Sequence, residues 1–360
     1  MININYQNKN ILNLNKLTVV ILTYNRHESL IRTLEYWSNT NVNLVVIDGS
    51  KFKLEHKSIN SKNINYIHEP KSFYERFLIC INFVQTEYVI MSSDDEFYLQ
   101  SALSACIDVL EKDKSYSSCG GCAIGFFRQK GKFLAKKVYS KLFSFSLSQL
   151  SSVDRLQIHF SNYIMAHYWS VMRTNNWKII CKNVFEKEYG FYAAHELQVE
   201  FLSVISGKST IIPELMWMRN YDNSQIQGTN PACEPNYTIN DWWIDHAKSN
   251  EKNDFIERMK KASKILSNDK NLEISKDIIF KTFENLINWE NSRKSFKDKI
   301  VKYIPRKFKD KIKLVLFKFG LKKNLVHRDI ISEAKLLEKK GIFVNYNELD
   351  YIISNYLKND

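Results

Sequence analysis

No stretch of the 360-residue chain reaches about 18 consecutive apolar residues, so no membrane-spanning helix is expected. Met1 to Asn10 is polar and offers no apolar h-region, so no secretory signal is expected, and the expected location is the cytoplasm or the inner face of the cell membrane. Cysteine is sparse, with six residues at positions 80, 106, 119, 122, 181 and 233. Cys119-Gly-Gly-Cys122 has no second Cys-x-x-Cys to complete a zinc site and lacks the strand–helix setting of a redox pair, so free thiols are expected. The formal charge of +13 comes without a recognised nucleic-acid-binding motif, so no nucleic-acid partner is expected.

The composition, 44% hydrophobic and 25% charged, is globular. A length of 360 residues exceeds what one core usually holds and suggests two units: an α/β domain over 1–230 and a helical region over 231–360. Leu17 to Thr23, Asn43 to Asp48, Ile64 to His68 and Tyr88 to Met91 read as strands. Between and after them, Glu28 to Trp37, Phe73 to Val84 and Leu99 to Leu110 carry helical spacing. Strands apolar on both faces, alternating with helices, imply parallel βαβ units. Further on, Cys122 to Arg128, Lys132 to Tyr139, Tyr168 to Arg173 and Thr210 to Arg219 read as strands. Val153 to Phe160 and Ala193 to Ile205 read as helices, the second ended by Gly207, and 220–237 as a loop.

Open parallel sheets bind ligands beyond the carboxyl ends of their strands. The polar groups at those ends are Thr23-Tyr24-Asn25-Arg26, Asp48 and Ser93-Asp94-Asp95-Glu96, and all three clusters should meet on one edge. Carboxylates there suit a divalent cation, Mn²⁺ or Mg²⁺, that stabilises a diphosphate leaving group; the plain alternative is a helix N-cap. Asp48 can accept hydrogen bonds from a ligand, or can serve only as a turn residue before Gly49. Arg219, ending the last strand of the domain, suits a diphosphate or a surface ion pair. Trp217 and Tyr192 are candidates for stacking on a sugar ring.

The chain resembles the family-2-like glycosyltransferases of GT-A fold. The resemblance rests on VVILTYNRHESLIRTL (19–34), VVIDGS (45–50) and YVIMSSDDEF (88–97), and extends less sharply through HELQVEFL (195–202) to MWMRNYD (216–222). It implies a Rossmann-like nucleotide-sugar domain, with Thr23 and Asp48 at the base and ribose and Tyr24, Asn25 and Arg26 beside them. Arg76 falls loosely where such enzymes place a basic residue near the nucleotide; a solvated helix face is the competing reading. The family's Asp-x-Asp motif here reads Ser93-Asp94-Asp95, so Asp95 takes the metal-binding position, Asp94 the variable one, and a serine replaces the first acid. Glu196 falls at the general base of inverting members, with His195 assisting it or contacting phosphate. Gly120 and Gly121 are read as allowing close backbone approach beside the nucleotide.

Between Lys297 and Lys323 stand eleven Lys or Arg against two Asp. Over 306–319, Phe308, Ile312, Val315 and Phe319 share one helical face, which suits either an anionic membrane surface or packing on the catalytic domain. The expected activity is inverting transfer from a nucleotide-sugar donor to a glycan or lipid-linked acceptor in bacterial surface polysaccharide synthesis (capsule or lipopolysaccharide). Two other readings are a nucleotidyltransferase, disfavoured by the glycine-free loop after the first strand, and a non-catalytic binding protein on a degenerate transferase scaffold.

Overall fold

The structure, a computed structural model, describes residues 13–129, 132–191, 193–222, 238–267, 274–293 and 328–357. The chain opens as β1 (Leu17–Thr23), α1 (His27–Ser38), β2 (Asn43–Asp48), β3 (Ile64–His68), α2 (Phe73–Cys80) and β4 (Tyr88–Ser92). It continues as β5 (Phe97–Tyr98), α3 (Gln100–Lys112), β6 (Tyr116–Gln129), β7 (Lys132–Lys136), β8 (Ser146–Leu147), α4 (Ser152–Ser161), β9 (Val171–Arg173), α5 (Thr174–Phe185), α6 (Ala194–Ser206) and β10 (Lys208–Asn220). Helices α7 (Ile239–Ile244), α8 (Ser249–Leu266), α9 (Lys276–Arg293), α10 (Ile330–Glu338) and α11 (Tyr346–Ile352) follow.

One sheet runs β3-β2-β1-β4-β9-β6-β10-β5, with β7 on β6 and β8 on β10. Its first four strands are parallel, as their two-sided apolar character predicts. Beyond β4 the sheet is mixed, because β9 runs antiparallel to both β4 and β6. Register puts Thr23 opposite Asp48 and Ile21 opposite Ser92, so the loops after β1, β2 and β4 open on the same edge.

The two-residue strand period divides the core. Val19 and Ile21 face α1 and α3 through Leu30, Leu34, Trp37, Leu103 and Ile107. Val20 faces the other side, where Phe77, Trp177, Leu197, Phe201, Phe255 and Phe283 bring together α2, α5, α6, α8 and α9. The last described segment closes the first face. Phe343 exchanges backbone bonds with Pro213 and Leu215 (2.7 and 2.8 Å), and the Glu348 carboxylate accepts from Ser101 N–H at the start of α3 (3.1 Å). The basic stretch 297–323, the loop residues 223–237, Tyr192, Gly131 and Cys233 lie outside the described residues.

Several elements depart from their sequence signals for physical reasons. Helix α2 begins on a capping box between Ser72 and Glu75, but after Cys80 the chain tightens into three-residue turns, Asn82 N–H to Ile79 O and Phe83 N–H to Cys80 O. The strand expected over 168–173 shrinks to β9 because the N–H groups of His167 and Tyr168 donate to the buried Glu200 carboxylate (2.8 and 3.0 Å). Helix α5 was not anticipated, although Trp177, Ile180, Cys181 and Val184 have helical spacing and are buried. The reading of Gly120 and Gly121 is corrected. A Cβ at either would fall 2.4 Å from Ser170 Oγ or Met216 Cβ, so the glycines admit core neighbours rather than a nucleotide. The five described cysteines are buried free thiols.

Candidate active site

The turn from Tyr24 to Arg26, with His27 opening α1, ties the sheet edge together. Asn25 takes a left-handed conformation (φ 55°) that turns the chain sharply from β1 into α1. Its N–H donates to Ser50 Oγ at 2.8 Å, and His27 Nε2 meets Asp48 Oδ2 at 2.9 Å. Arg26 reaches the third cluster, with Nη1 2.9 Å from Asp94 Oδ1 and Nη2 bonded to Asp95 Oδ2. The three polar clusters therefore converge as the sequence indicated.

Each acid has a distinct setting. Asp48 is fully buried and accepts from Ser50 N–H (2.8 Å) and Tyr66 O–H (2.6 Å). Burial works against its charge, yet these bonds and the His27 contact hold its pKa below the ordinary carboxylate value. A ligand gains Asp48 only if His27, 30% exposed, gives way. Asp94 is buried, takes the Thr23 hydroxyl at 2.6 Å, and its backbone carbonyl accepts from Thr33 Oγ1. Burial first, then the Asp95 charge, pushes Asp94 up to about 6. Asp95 accepts from Ser93 Oγ at 2.9 Å and lies 3.4 Å from Asn220 Nδ2. Glu96 accepts from Trp217 Nε1 at 2.7 Å, and burial together with Asp95 lifts it to about 8.

Residues 18–179 match glycosyl transferase family 2. The chain carries a family 2 glycosyltransferase domain. No curated protein matches the chain in sequence. Among solved structures, TarS 1–349 from S. aureus in complex with UDP-GlcNAc aligns at a TM-score of 0.51 and 10% identity, over 81% of this chain and 77% of that one. A structure of S. aureus TarS aligns at 0.49 and 12% identity, over 81% of this chain but 46% of that one, so the chain spans about half the length of that relative. At such identity the likeness shows the fold, and it agrees with the GT-A-type α/β class.

Within the transferase domain, Arg76 is not on a solvated face. It is 5% exposed, donates to the Thr23 carbonyl, and occupies the space a side chain at Gly49 would need, with its Nε 2.5 Å from the position of that Cβ. Its charge lies 5.9 Å from the centre of the exposed Tyr24 ring. Arg219 lies 3.9 Å from Glu96 and over the rings of Tyr139, Trp217 and Tyr221. Trp217 is corrected from a sugar-stacking candidate to a core residue: it is buried and stacked by Tyr98, Tyr139 and Trp169. A cavity of about 250 Å³ adjoins Asp95 and Asn220 and is lined by Arg32, Arg128, Phe133 and Tyr356 among others.

The residues at the sheet edge suit an oxygen-coordinated divalent cation. Asp94, Asp95 and the Ser93 hydroxyl are hard donors. Asp94 Oδ1 is buried and accepts no hydrogen bond among the described residues, its charge being met by Arg26. A cation entering there would have to displace the guanidinium.

His195 and Glu196 form a second group, on the first turn of α6. The His195 ring is buried against Phe73, Tyr74, Tyr168 and Phe185, which fixes α6 beside α2, the helix that carries Arg76. Glu196 is partly exposed; desolvation, followed by the charge of Glu200 one turn on, raises it to about 7. Glu200 escaped the sequence reading. It sits within a buried cluster with His159 Nε2 (3.1 Å) and His167 Nδ1 (2.7 Å) and accepts three backbone N–H groups from 166–168. These three side chains are grouped closely enough to ligate a metal, but the carboxylate is already saturated by donors.

Burial alone would raise the Glu200 pKa; its histidine partners hold it well below the ordinary value instead. A depressed acid lends stability above its unfolded pKa and loses it as pH falls toward the folded one. Glu200→Gln is therefore expected to destabilise the protein by about 3 kcal/mol at neutral pH. The deficit should narrow below about pH 4. Urea unfolding at pH 7 and pH 3.5 checks both; a deficit independent of pH would show that the pattern of hydrogen-bond acceptors, not the charge, sustains the cluster.

Proposed function

We propose that the protein is an inverting, divalent-metal-dependent transferase that moves a sugar from a nucleotide-sugar donor to a hydroxyl of a glycan or lipid-linked acceptor. The observation that carries this reading is the meeting of Thr23, Arg26, Asp48, Asp94 and Asp95 on the carboxyl edge of β1, β2 and β4 in a family 2 domain. The UDP-GlcNAc bound to the TarS fragment makes a UDP-sugar the first donor to test.

Each residue has a role in this reading. The exposed Tyr24 offers its ring to the base, and Asp48, with Arg76 beneath the loop, shapes the nucleoside pocket. Asp95 and Asp94 would hold the cation, with Ser93 offering a hydroxyl. That cation would supply positive charge to the departing diphosphate. Arg219, and Arg26 once it leaves the acids, add guanidinium donors to the same oxygens. Glu196 takes the proton of the acceptor hydroxyl, and His195 sets the packing of the helix that presents it. Bacterial surface polysaccharide synthesis is the proposed setting, and the basic stretch 306–319 the proposed contact with the cytoplasmic face of a membrane. No helix of the described residues is long and apolar enough to cross one.

The test is a thermal-shift panel of UDP, dTDP, GDP and CMP, each with and without Mn²⁺. A ligand held only by the folded state at about 100 times its Kd adds about 2.7 kcal/mol of stability. UDP with Mn²⁺ is expected to raise Tm by several degrees, and UDP alone by less. No shift with any nucleotide would favour the degenerate binding scaffold.

A further inference from the structure

We infer that Arg26 is a resident counter-ion that occupies the divalent-cation position of the donor-free site, so that cation and donor diphosphate enter together. The inference rests on the reading of Asp95 as a metal-binding residue.

Geometry carries it. Arg26 immediately precedes α1 and spreads its fork across two acids, with Nη1 2.9 Å from Asp94 Oδ1 and Nη2 on Asp95 Oδ2. The two carboxylate side chains are 3% and 7% exposed, whereas that of Arg26 is 22% exposed. The guanidinium is thus the outer layer between the acids and solvent. Ser93 Oγ donates to Asp95 Oδ1 and Thr23 Oγ1 to Asp94 Oδ2, while Arg26 lies on the other oxygen of each carboxylate, where Asp95 Oδ2 also has Asn220 Nδ2 at 3.4 Å. Replacement of the family's first acid by Ser93 sharpens the competition. Two carboxylates already balanced in part by one guanidinium attract a dication weakly. Arg219 does not play this part, being layered over three aromatic rings and 3.9 Å from Glu96.

A diphosphate changes the balance. It offers a planar guanidinium paired oxygens of matching geometry, so Arg26 can leave the acids without losing an anionic partner. The vacated carboxylate oxygens would then be available to hold a cation in the presence of the diphosphate. Cation and donor must therefore strengthen each other's binding by one common factor.

The test is titration of the full chain with Mn²⁺ in the absence of nucleotide, read by calorimetry and by the spin-resonance signal of free Mn²⁺. Arg26→Gln is expected to bind Mn²⁺ about tenfold more tightly than the wild type, and Arg26→Lys to fall between. The gain should disappear when Asp95→Asn is added, and UDP should tighten Mn²⁺ in the wild type more than in Arg26→Gln. Equal or weaker Mn²⁺ binding by a folded Arg26→Gln, or a gain that survives Asp95→Asn, would overturn the counter-ion role. Failure of UDP to bind the wild type would overturn the transferase reading and the coupling to donor, while the nucleotide-free titration still decides what Arg26 does to the cation.

Discussion

Asp95→Asn is expected to lower sugar transfer about a thousandfold while leaving the fold intact. The substitution keeps the volume of the side chain and an oxygen for the Ser93 hydroxyl, which lies 2.9 Å from Asp95 Oδ1. What it removes is the charge that meets Arg26 now and a divalent cation in the proposed working site. Fixed charge aimed at a developing anion is commonly worth about a hundred- to a thousandfold for a single group, and a lost cation removes more than one interaction. Nucleotide binding should lose its metal-dependent part and keep the rest, because Tyr24, Asp48 and Arg76 are untouched. Initial rates with a UDP-sugar, and the UDP thermal shift with and without Mn²⁺, read the two effects separately. Full activity in this variant would remove Asp95 from the metal site. Asp94→Asn is a less clean experiment, since Asp94 is buried, bonded to Thr23 and raised to about 6, so its replacement also disturbs the joint between β1 and β4.

The half of the site assembled at the sheet edge was legible because local chemistry and strand order reinforce each other. Thr23, Asp48 and the acids after Tyr88 each end an apolar strand, and parallel pairing leaves them one edge to share. The partners of those residues were not legible. Nothing in the spacing links Arg26 to Asp94 and Asp95 rather than to solvent, or His27 to Asp48, because these pairs form only once α1 is laid against the sheet. Arg76 shows the same limit more sharply. An arginine in the second turn of an amphipathic helix reads as exposed, and only the missing side chain of Gly49 makes room to bury it. Glu200 lies in a helix whose neighbours are nearly all apolar, and its two histidines come from other elements, so no window of sequence contains the cluster. The closing of the first sheet face by 328–357 is a long-range event of the same kind. Phe343 pairs with a strand 128 positions earlier in the chain at Leu215, and Glu348 caps a helix that starts at Gln100.

Glu196→Gln is expected to reduce transfer by about a hundred- to ten-thousandfold, the usual worth of a positioned proton acceptor. Nucleotide binding should not change, so this variant keeps the full UDP and Mn²⁺ thermal shift and separates the acceptor step from the donor site. The wild-type pH profile supplies an independent check. Burial, reinforced by the charge of Glu200, raises Glu196 to about 7, and a base works only when deprotonated. Rates at saturating donor should therefore climb from pH 6 to pH 8 and level off above. The same raised value works against the fold. An acid whose pKa is higher in the folded than in the unfolded state favours folding while protonated and loses that contribution as pH rises toward 7. Keeping a carboxylate half-desolvated beside another charged acid is unfavourable for stability, and that is the setting expected of a group tuned to exchange a proton near neutral pH. Stability that rises in Glu196→Gln at pH 8 while transfer is lost would fit a base held at this cost. A variant that retains both wild-type rate and its pH profile would move the base elsewhere.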